Sequence, residues 1–323
     1  MKTTTTCAVV AALGLAAVLT APTVQAADPV SHERILTSGL LVAHGGAKVT
    51  TLDPDGTGRA PVKLPDDLED FNKSTWSHDG TRVLHSNVLV FDDSGELVAF
   101  RPAITTPDGS GYRLLRMRTQ PMDLYCSAWS LDDTRILCGT RRGVFSFRVR
   151  DGRGGRRVTT NPYGGQDLAV GYSPDGTTLA WLRERPDPTP DEGTDLEREA
   201  LYIADADGAH ARRVTAWGLL QAHEVAGATW SPDGTTVISA NRHGRLVEIE
   251  VATGTVTPVP LDLRRSDYAV MPDYSPDGQQ VVFSMFRKAP ADLFVANLDG
   301  SGLQQITHTD DRSELSPDWA TIP

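Results

Sequence analysis

The chain has 323 residues, 39% of them hydrophobic, with 31 Lys+Arg against 42 Asp+Glu and a formal net charge of −11. A negative surplus of this size argues against nucleic acid or an anionic membrane surface as the partner. The 29 Gly and 21 Pro are spread between short apolar runs, which excludes a helical bundle and points to an all-β chain.

Residues 1–26, "MKTTTTCAVVAALGLAAVLTAPTVQA", have the pattern of a cleavable secretory signal. Lys2 precedes an apolar run from Ala8 to Leu19, and Val24 and Ala26 occupy the cleavage positions. The run is too short for a transmembrane span. Cys7 lacks the Leu-x-small context of a lipoprotein. Cleavage near Ala26 and an extracytoplasmic, released protein without a membrane span are expected. Removing Lys2 leaves 30 Lys+Arg against 42 Asp+Glu, a net of −12.

The stretch "ERILTSGLLVAHGGAKVTTLDPDGTGRAPVKL" from Glu33 reads as three strands. A repeating unit then begins. Its copies are "WSHDGTRVL" from Trp76, "WSLDDTRIL" from Trp129, "YSPDGTTLA" from Tyr172, "WSPDGTTVI" from Trp230 and "YSPDGQQVV" from Tyr274. Each is a hairpin: Ser opens the turn, Pro presets φ, and Gly supplies the positive φ of the exit. Asp133 stands where the other copies have Gly, and Asp tolerates the left-handed region better than most residues. A sixth aromatic, Trp319, ends the chain, with Pro317, Asp318 and Trp319 matching Pro272, Asp273 and Tyr274. A second turn interleaves with the first, as in "LDPDGTG" from Leu52, "TPDGSG" from Thr106, "VRDGRGG" from Val149 and "NLDGSG" from Asn297.

The anchor aromatics are spaced 53, 43, 58, 44 and 45 residues apart. A period in the forties with four short strands per unit is the signature of a β-propeller blade. The expected fold is an all-β, six-bladed β-propeller over residues 27–323. Its blades start near 76, 129, 172, 230 and 274, and the sixth is split between 33–65 and 313–323. With strands labelled A to D, the aromatic ends A, the Ser-led turn joins A to B, and the second turn joins C to D. Pairing of the chain ends closes the ring and removes sheet edges that invite aggregation. The two long spacings mark insertions. "RERPDPTPDEGTDLEREA" reads as a solvated loop with a short helical turn at "DLERE", and "FDDSGELVAF" as an added hairpin or bulge. Cys126 and Cys138 flank the Trp129 hairpin symmetrically, so a cross-strand disulfide is expected ahead of two free thiols or a metal site.

The units "WSPDGTTVISANRHGRLVEIEVATG" and "YSPDGQQVVFSMFRKAPADLFVANLDGSGLQQIT" resemble the WD40-like repeat of TolB-type propellers. The non-catalytic propellers of prolyl oligopeptidase and dipeptidyl peptidase relatives share that repeat. The resemblance covers nearly the whole chain beyond the signal. It implies the fold and not the function, because the motif residues build blades. The protein that names the family has an α/β domain ahead of its propeller, whereas a propeller without that domain is expected here.

No strong catalytic motif stands out. There is no G-x-S-x-G elbow, and "HEVAG" at His223 lacks the second His of a zinc-protease helix. A sialidase-like box fails because Asp and Gly are adjacent in each turn. His44, His85 and His243 are placed near B–C links, where three His could bind a metal, but polar loop residues are the simpler reading. The Asp-rich turns lack the later Glu of a calcium loop. Neither metal nor cofactor is expected.

One pattern suggests a site. An acid precedes each anchor by five to seven residues: Asp70, Asp123, Asp167, Glu224, Asp267 and Glu314. Eleven to thirteen residues after four of the anchors stands a base: Arg141, Arg183, Arg242 or Arg287. The D–A and B–C links share one face, so acids and bases should meet there. They could form a ring of ion pairs between neighbouring blades. Alternatively these residues, with His243, form the binding face, since arginines fork onto carboxylates and carbonyls. The expected function is a non-catalytic binding or scaffolding module for a protein or peptide, or for a cell-envelope glycan. The rival is an extracellular hydrolase or lyase on a polymer. It would require a tight cluster of acids, His or metal at the channel mouth, and two carboxylates within reach of each other and unpaired with Arg would favour it.

Overall fold

Each Ser-led turn is built the same way in the computed structural model, which describes residues 32–41, 47–65, 73–91, 97–117, 124–185, 198–220 and 227–323. The Ser hydroxyl donates to the Asp carboxylate two residues on, at 2.6 Å for Ser77–Asp79, Ser130–Asp132, Ser173–Asp175, Ser231–Asp233 and Ser275–Asp277. That carboxylate accepts the next free amide, as from Thr235 at 2.9 Å. The turn therefore satisfies its own polar groups, and these Asp carboxyls are held below the usual carboxylate range by those bonds. Asp133 adopts φ 52°, the conformation its Gly counterparts use. Its buried carboxylate caps the His78 and Asp79 amides of the neighbouring blade's turn, at 3.1 and 3.0 Å.

These turns and the second set fold the chain into six four-stranded antiparallel sheets. The split blade holds β1 (His32–Leu41), β2 (Ala47–Leu52) and β3 (Ala60–Pro61), with the last strand of the chain on its inner side. Blade 1 comprises β4 (Ser74–Trp76), β5 (Val83–Phe91), β6 (Leu97–Thr105) and β7 (Arg113–Leu114). Blade 2 comprises β8 (Tyr125–Trp129), β9 (Arg135–Thr140), β10 (Gly143–Arg148) and β11 (Arg156–Arg157). Blade 3 comprises β12 (Asp167–Tyr172), β13 (Thr178–Arg185), β14 (Arg198–Asp205) and β15 (Arg212–Arg213). Blade 4 comprises β16 (Ala228–Trp230), β17 (Thr236–Ala240), β18 (Leu246–Glu250) and β19 (Val256–Pro258). Blade 5 comprises β20 (Tyr268–Tyr274), β21 (Gln280–Phe286), β22 (Asp292–Asn297) and β23 (Gln304–Gln305). β24 (Arg312–Ile322) pairs with β1 from His32↔Ile322 to Leu41↔Arg312 and closes the ring. The fold is thus the six-bladed propeller expected, with its ends joined in one blade.

The hydrophobic residues form a core at each seam between consecutive blades. Leu84 and Ile104 of blade 1 pack with Trp129, Ile136 and Phe147 of blade 2. Ile238 and Leu246 of blade 4 pack with Phe283 and Phe294 of blade 5. Trp319 and Ile35 meet Val282 and Leu293 across the closure. Five of the six anchor aromatics end their inner strands, and two tryptophans among them reach back across these seams. The Trp129 indole N–H donates to the Thr75 carbonyl at 3.3 Å and that of Trp230 to Gly171 at 3.1 Å. Inner strands have a ladder partner on one side only, and two buried acids cap the other. Asp318 accepts the Trp76 amide at 2.7 Å, and Asp273 accepts that of Trp319 at 2.6 Å.

The second turns tie blades together more tightly than their sequence suggests. A Cβ on Gly208 would lie 1.9 Å from the Val158 carbonyl oxygen of blade 2, and Gly109, Gly56 and Gly300 are equally close to the blade before theirs. Only glycine fits, both for the contact and for the positive φ.

Cys126 and Cys138 are directly paired across β8 and β9 and joined by a disulfide. The "FDDSGELVAF" insertion contributes Phe91 to β5 and Leu97–Phe100 to β6, with a register shift at Val90/Phe91, and its residues 92–96 lie outside the described residues. In "DLERE", Arg198 and Glu199 belong to β14, and the rest lies outside the described residues.

Candidate functional site

Successive strands are antiparallel, so both kinds of turn lie on one edge of the ring, and the B–C and D–A links lie on the other. On this link edge the predicted acids and bases separate into two groups. Asp167 opens β12 and faces Arg183 directly across to β13. Their side chains form a two-pronged fork, with Arg183 Nε to Asp167 Oδ1 and Nη2 to Oδ2 both at 2.7 Å. Both residues are buried. Asn161 donates a further bond to Asp167 Oδ1 at 2.9 Å, and Arg183 donates to the Thr160 carbonyl at 3.0 Å. Burial pushes Asp167 up to about 6 even though Arg183 pulls the other way. In blade 5, Arg287 donates to Asp267 Oδ2 from Nε at 3.2 Å and from Nη2 at 3.0 Å. Against its desolvation, Arg287 and the Arg264 amide hold Asp267 below the usual carboxylate range.

Both pairs join strands A and B of one blade, not neighbouring blades as one sequence reading had it. The cause is register: residues five to seven before and eleven to thirteen after the same anchor aromatic fall opposite each other in one hairpin. The tie between blades comes instead from the third bond of Arg183, to the link carbonyl of Thr160. Glu314 is also paired, with Arg59, which enters from the outer side of the same blade. Burial raises Glu314, and Arg59 opposes the rise. The sequence offered no signal for Arg59, because it lies beside the second turn and far from any anchor.

Arg141 and Arg242 differ from these. Both lie in B–C links, both are exposed, and neither has an ion pair among the described residues. The Arg242 backbone N–H donates to the Leu219 carbonyl at 3.1 Å, and its side-chain Nε lies 3.2 Å from His243 Nε2. His243 is exposed as well. Asp70, Asp123 and Glu224 lie outside the described residues, as do His44 and His223. His85 is not at a link. It is fully buried in β5, between Ser74 at 3.2 Å and Thr105 at 2.9 Å. The alternation of β5 turns this His inward, where hydroxyls on both neighbouring strands satisfy it. No group of three or more metal-ligating side chains is found among the described residues.

Two further features of this edge escaped the sequence reading. Glu184 and Glu199 face each other across β13 and β14. Glu199 is fully buried, and neither of its carboxylate oxygens has a hydrogen-bond partner among the described residues. Desolvation first, then the Glu184 charge, raise it well above the ordinary Glu range. Beside them is a cluster of aromatics and arginines. Trp181, Tyr202 and Arg213 form one row across β13, β14 and β15. Trp217, in the following D–A link, packs on Tyr202 at 5.8 Å and meets Tyr163 edge-on at 5.4 Å.

No family model and no curated protein matches the chain. Solved structures do match. TolB from Acinetobacter baumannii superposes with a TM-score of 0.63 at 17% identity, over 89% of this chain and 66% of that one. In fold, the chain is similar to the TolB propeller. A protein of Agrobacterium tumefaciens assigned as TolB gives 0.60 at 14% identity, covering 91% of this chain and 99% of that one. A chain of the nidogen/laminin complex gives 0.62 at 12% identity, covering 89% and 98%. Likenesses at such low identities show the architecture alone. The TolB likeness therefore accounts for the blades and leaves the links open.

Proposed function

We propose that the chain is an exported propeller that binds a protein or peptide partner, or a cell-envelope glycan, through its link edge, without chemistry of its own. The observation that carries this reading is the split among the arginines. Arg183 and Arg287 are held by buried carboxylates, while Arg141 and Arg242 stand exposed without such a partner among the described residues. Uncommitted guanidiniums on a rigid rim can fork onto carboxylates or carbonyls with little ordering cost. Export is supported by the disulfide and by the signal pattern of residues 1–26. The enzyme alternative finds less support. Of the carboxylate pairs that do meet, Glu199 is fully buried, while Asp273 and Asp318 each accept a backbone N–H of a neighbouring blade.

The test is capture from the native extracellular fraction, comparing the wild-type chain with an Arg141→Ala/Arg242→Ala variant of matched circular dichroism. Loss of a captured partner in the folded variant is expected. Equal capture by both would move the site off these arginines.

A further inference from the structure

Two guanidiniums lie over the Trp217 ring, and neither has a carboxylate partner among the described residues. Arg185 lies 4.5 Å and Arg213 5.7 Å from the ring centroid. Stacking on indole fixes the plane of each guanidinium and leaves its N–H edge free to donate. Arg185 Nε is buried and has no acceptor, and neither arginine forms an ion pair among the described residues. A buried donor left unmade is costly, and an arriving carboxylate would satisfy it. Arg183, stacked on Tyr202 at 4.7 Å, shows the contrast, because its fork is already filled by Asp167. Tyr163 lies alongside and is 45% exposed, the most exposed large hydrophobic side chain among the described residues.

Resting on the binding reading above, we infer that the seam of blades 2 and 3 is a docking site for an acidic peptide segment, whose carboxylates fork onto Arg185 and Arg213 while an apolar side chain lies against Tyr163. Charge complementarity commits the site to an anion. The residue types favour a peptide, since Tyr, Trp and Arg are the side chains that dominate protein-binding hot spots. A sugar ring would need a bare aromatic plane, and the arginines already crowd the indole. A nucleic acid would carry its row of phosphates past the two arginines onto a chain of net charge −11, whereas a short acidic segment need only meet the arginines.

The experiment uses the full chain and a short fluorescein-labelled peptide of alternating Glu and Leu, read by anisotropy, with its Gln-for-Glu counterpart as control. The expected result is saturable binding of the Glu peptide only. It should weaken at least ~10-fold in Arg185→Gln/Arg213→Gln and remain unchanged in Arg153→Gln/Arg156→Gln, which removes exposed charge elsewhere on blade 2. Arg213→Gln alone, at an exposed position, gives an intermediate loss and guards against misfolding of the double variant. Equal binding by all variants would overturn the proposal, as would preference for an oligouronate over the peptide. It is also overturned if the peptide binds only after the five acids between Arg185 and Arg198 are made neutral, because the occupant is then this chain's own sequence. Capture that depends on Arg141 and Arg242 would survive any of these failures, so the two readings are separable.

Discussion

The two edges of the ring solve the same problem in opposite ways. On the turn edge, the repeated Ser, Asp and Thr bond within their own turn, Asp133 caps the neighbouring turn, and glycines press against the blade before theirs. Little there is left over for a ligand. On the link edge, polar groups either sink into pairs, as Asp167 and Arg183 do, or stand uncommitted, as do Arg141, Arg242, Arg185 and Arg213. The difference teaches that repetition marks self-sufficiency: the residues that recur are those whose bonds are already made.

The largest effect should come from breaking the buried fork. Asp167→Ala strands the Arg183 charge in the core and is expected to cost about 3–5 kcal/mol. Asp267→Ala should cost clearly less, because the Arg287 side chain is 32% exposed and water can replace its partner. Chemical denaturation of both variants checks the order.

Next come the turn-edge glycines. Gly208→Ala meets a backbone oxygen that cannot yield and also has φ 88°, so a loss of about 2–4 kcal/mol is expected. Gly164 has a similar φ of 79° but nothing within 4 Å, and its Ala variant should lose only about 1 kcal/mol. Equal losses would mean that the glycines serve conformation alone and that the contact between blades counts for little.

A smaller effect is expected from pH. The folded chain holds the Glu199 proton above the pH at which an ordinary Glu releases it. The unfolded chain binds fewer protons there, so this group's contribution to stability is intact at acid pH and fades as pH rises above the ordinary Glu range. Glu199→Gln should flatten that slope, giving a midpoint higher than wild type at pH 8 by a few degrees, on the order expected for ~1 kcal/mol, and no gain near pH 4. A gain of the same size at both pH values would rule out proton linkage. The smallest effect is on the uncommitted side: Arg141→Ala/Arg242→Ala should leave stability within about 0.5 kcal/mol of wild type.

Much of this was legible in the chain because turn chemistry is local. The Ser, Asp and Gly of each turn, the left-handed Asp133, the facing cysteines and the closure through Trp319 all follow from residues a few positions apart or from a fixed period. The hairpin register also placed Asp167 opposite Arg183 and Asp267 near Arg287, although the expected partnership was between blades. What escaped the reading depends on how blades lean on one another. Arg59 reaches Glu314 from 255 positions away in the chain, Gly208 meets Val158 on the blade before, and Trp217 gathers arginines from two strands. No period or spacing encodes such contacts, because they depend on the twist between sheets. His85 shows the converse error. Its distance from a turn placed it near a link, but the alternation of β5 puts it in the core.

The most direct test of the division between edges is an arginine footprint of the captured complex. Exposed guanidiniums would be modified with phenylglyoxal in the free and the bound chain, and the modified positions read by mass spectrometry. The account predicts protection on binding at Arg141 and Arg242 on the link edge, with Arg150 and Arg153 on the turn edge modified equally in both states. Protection confined to Arg150 and Arg153 would contradict it.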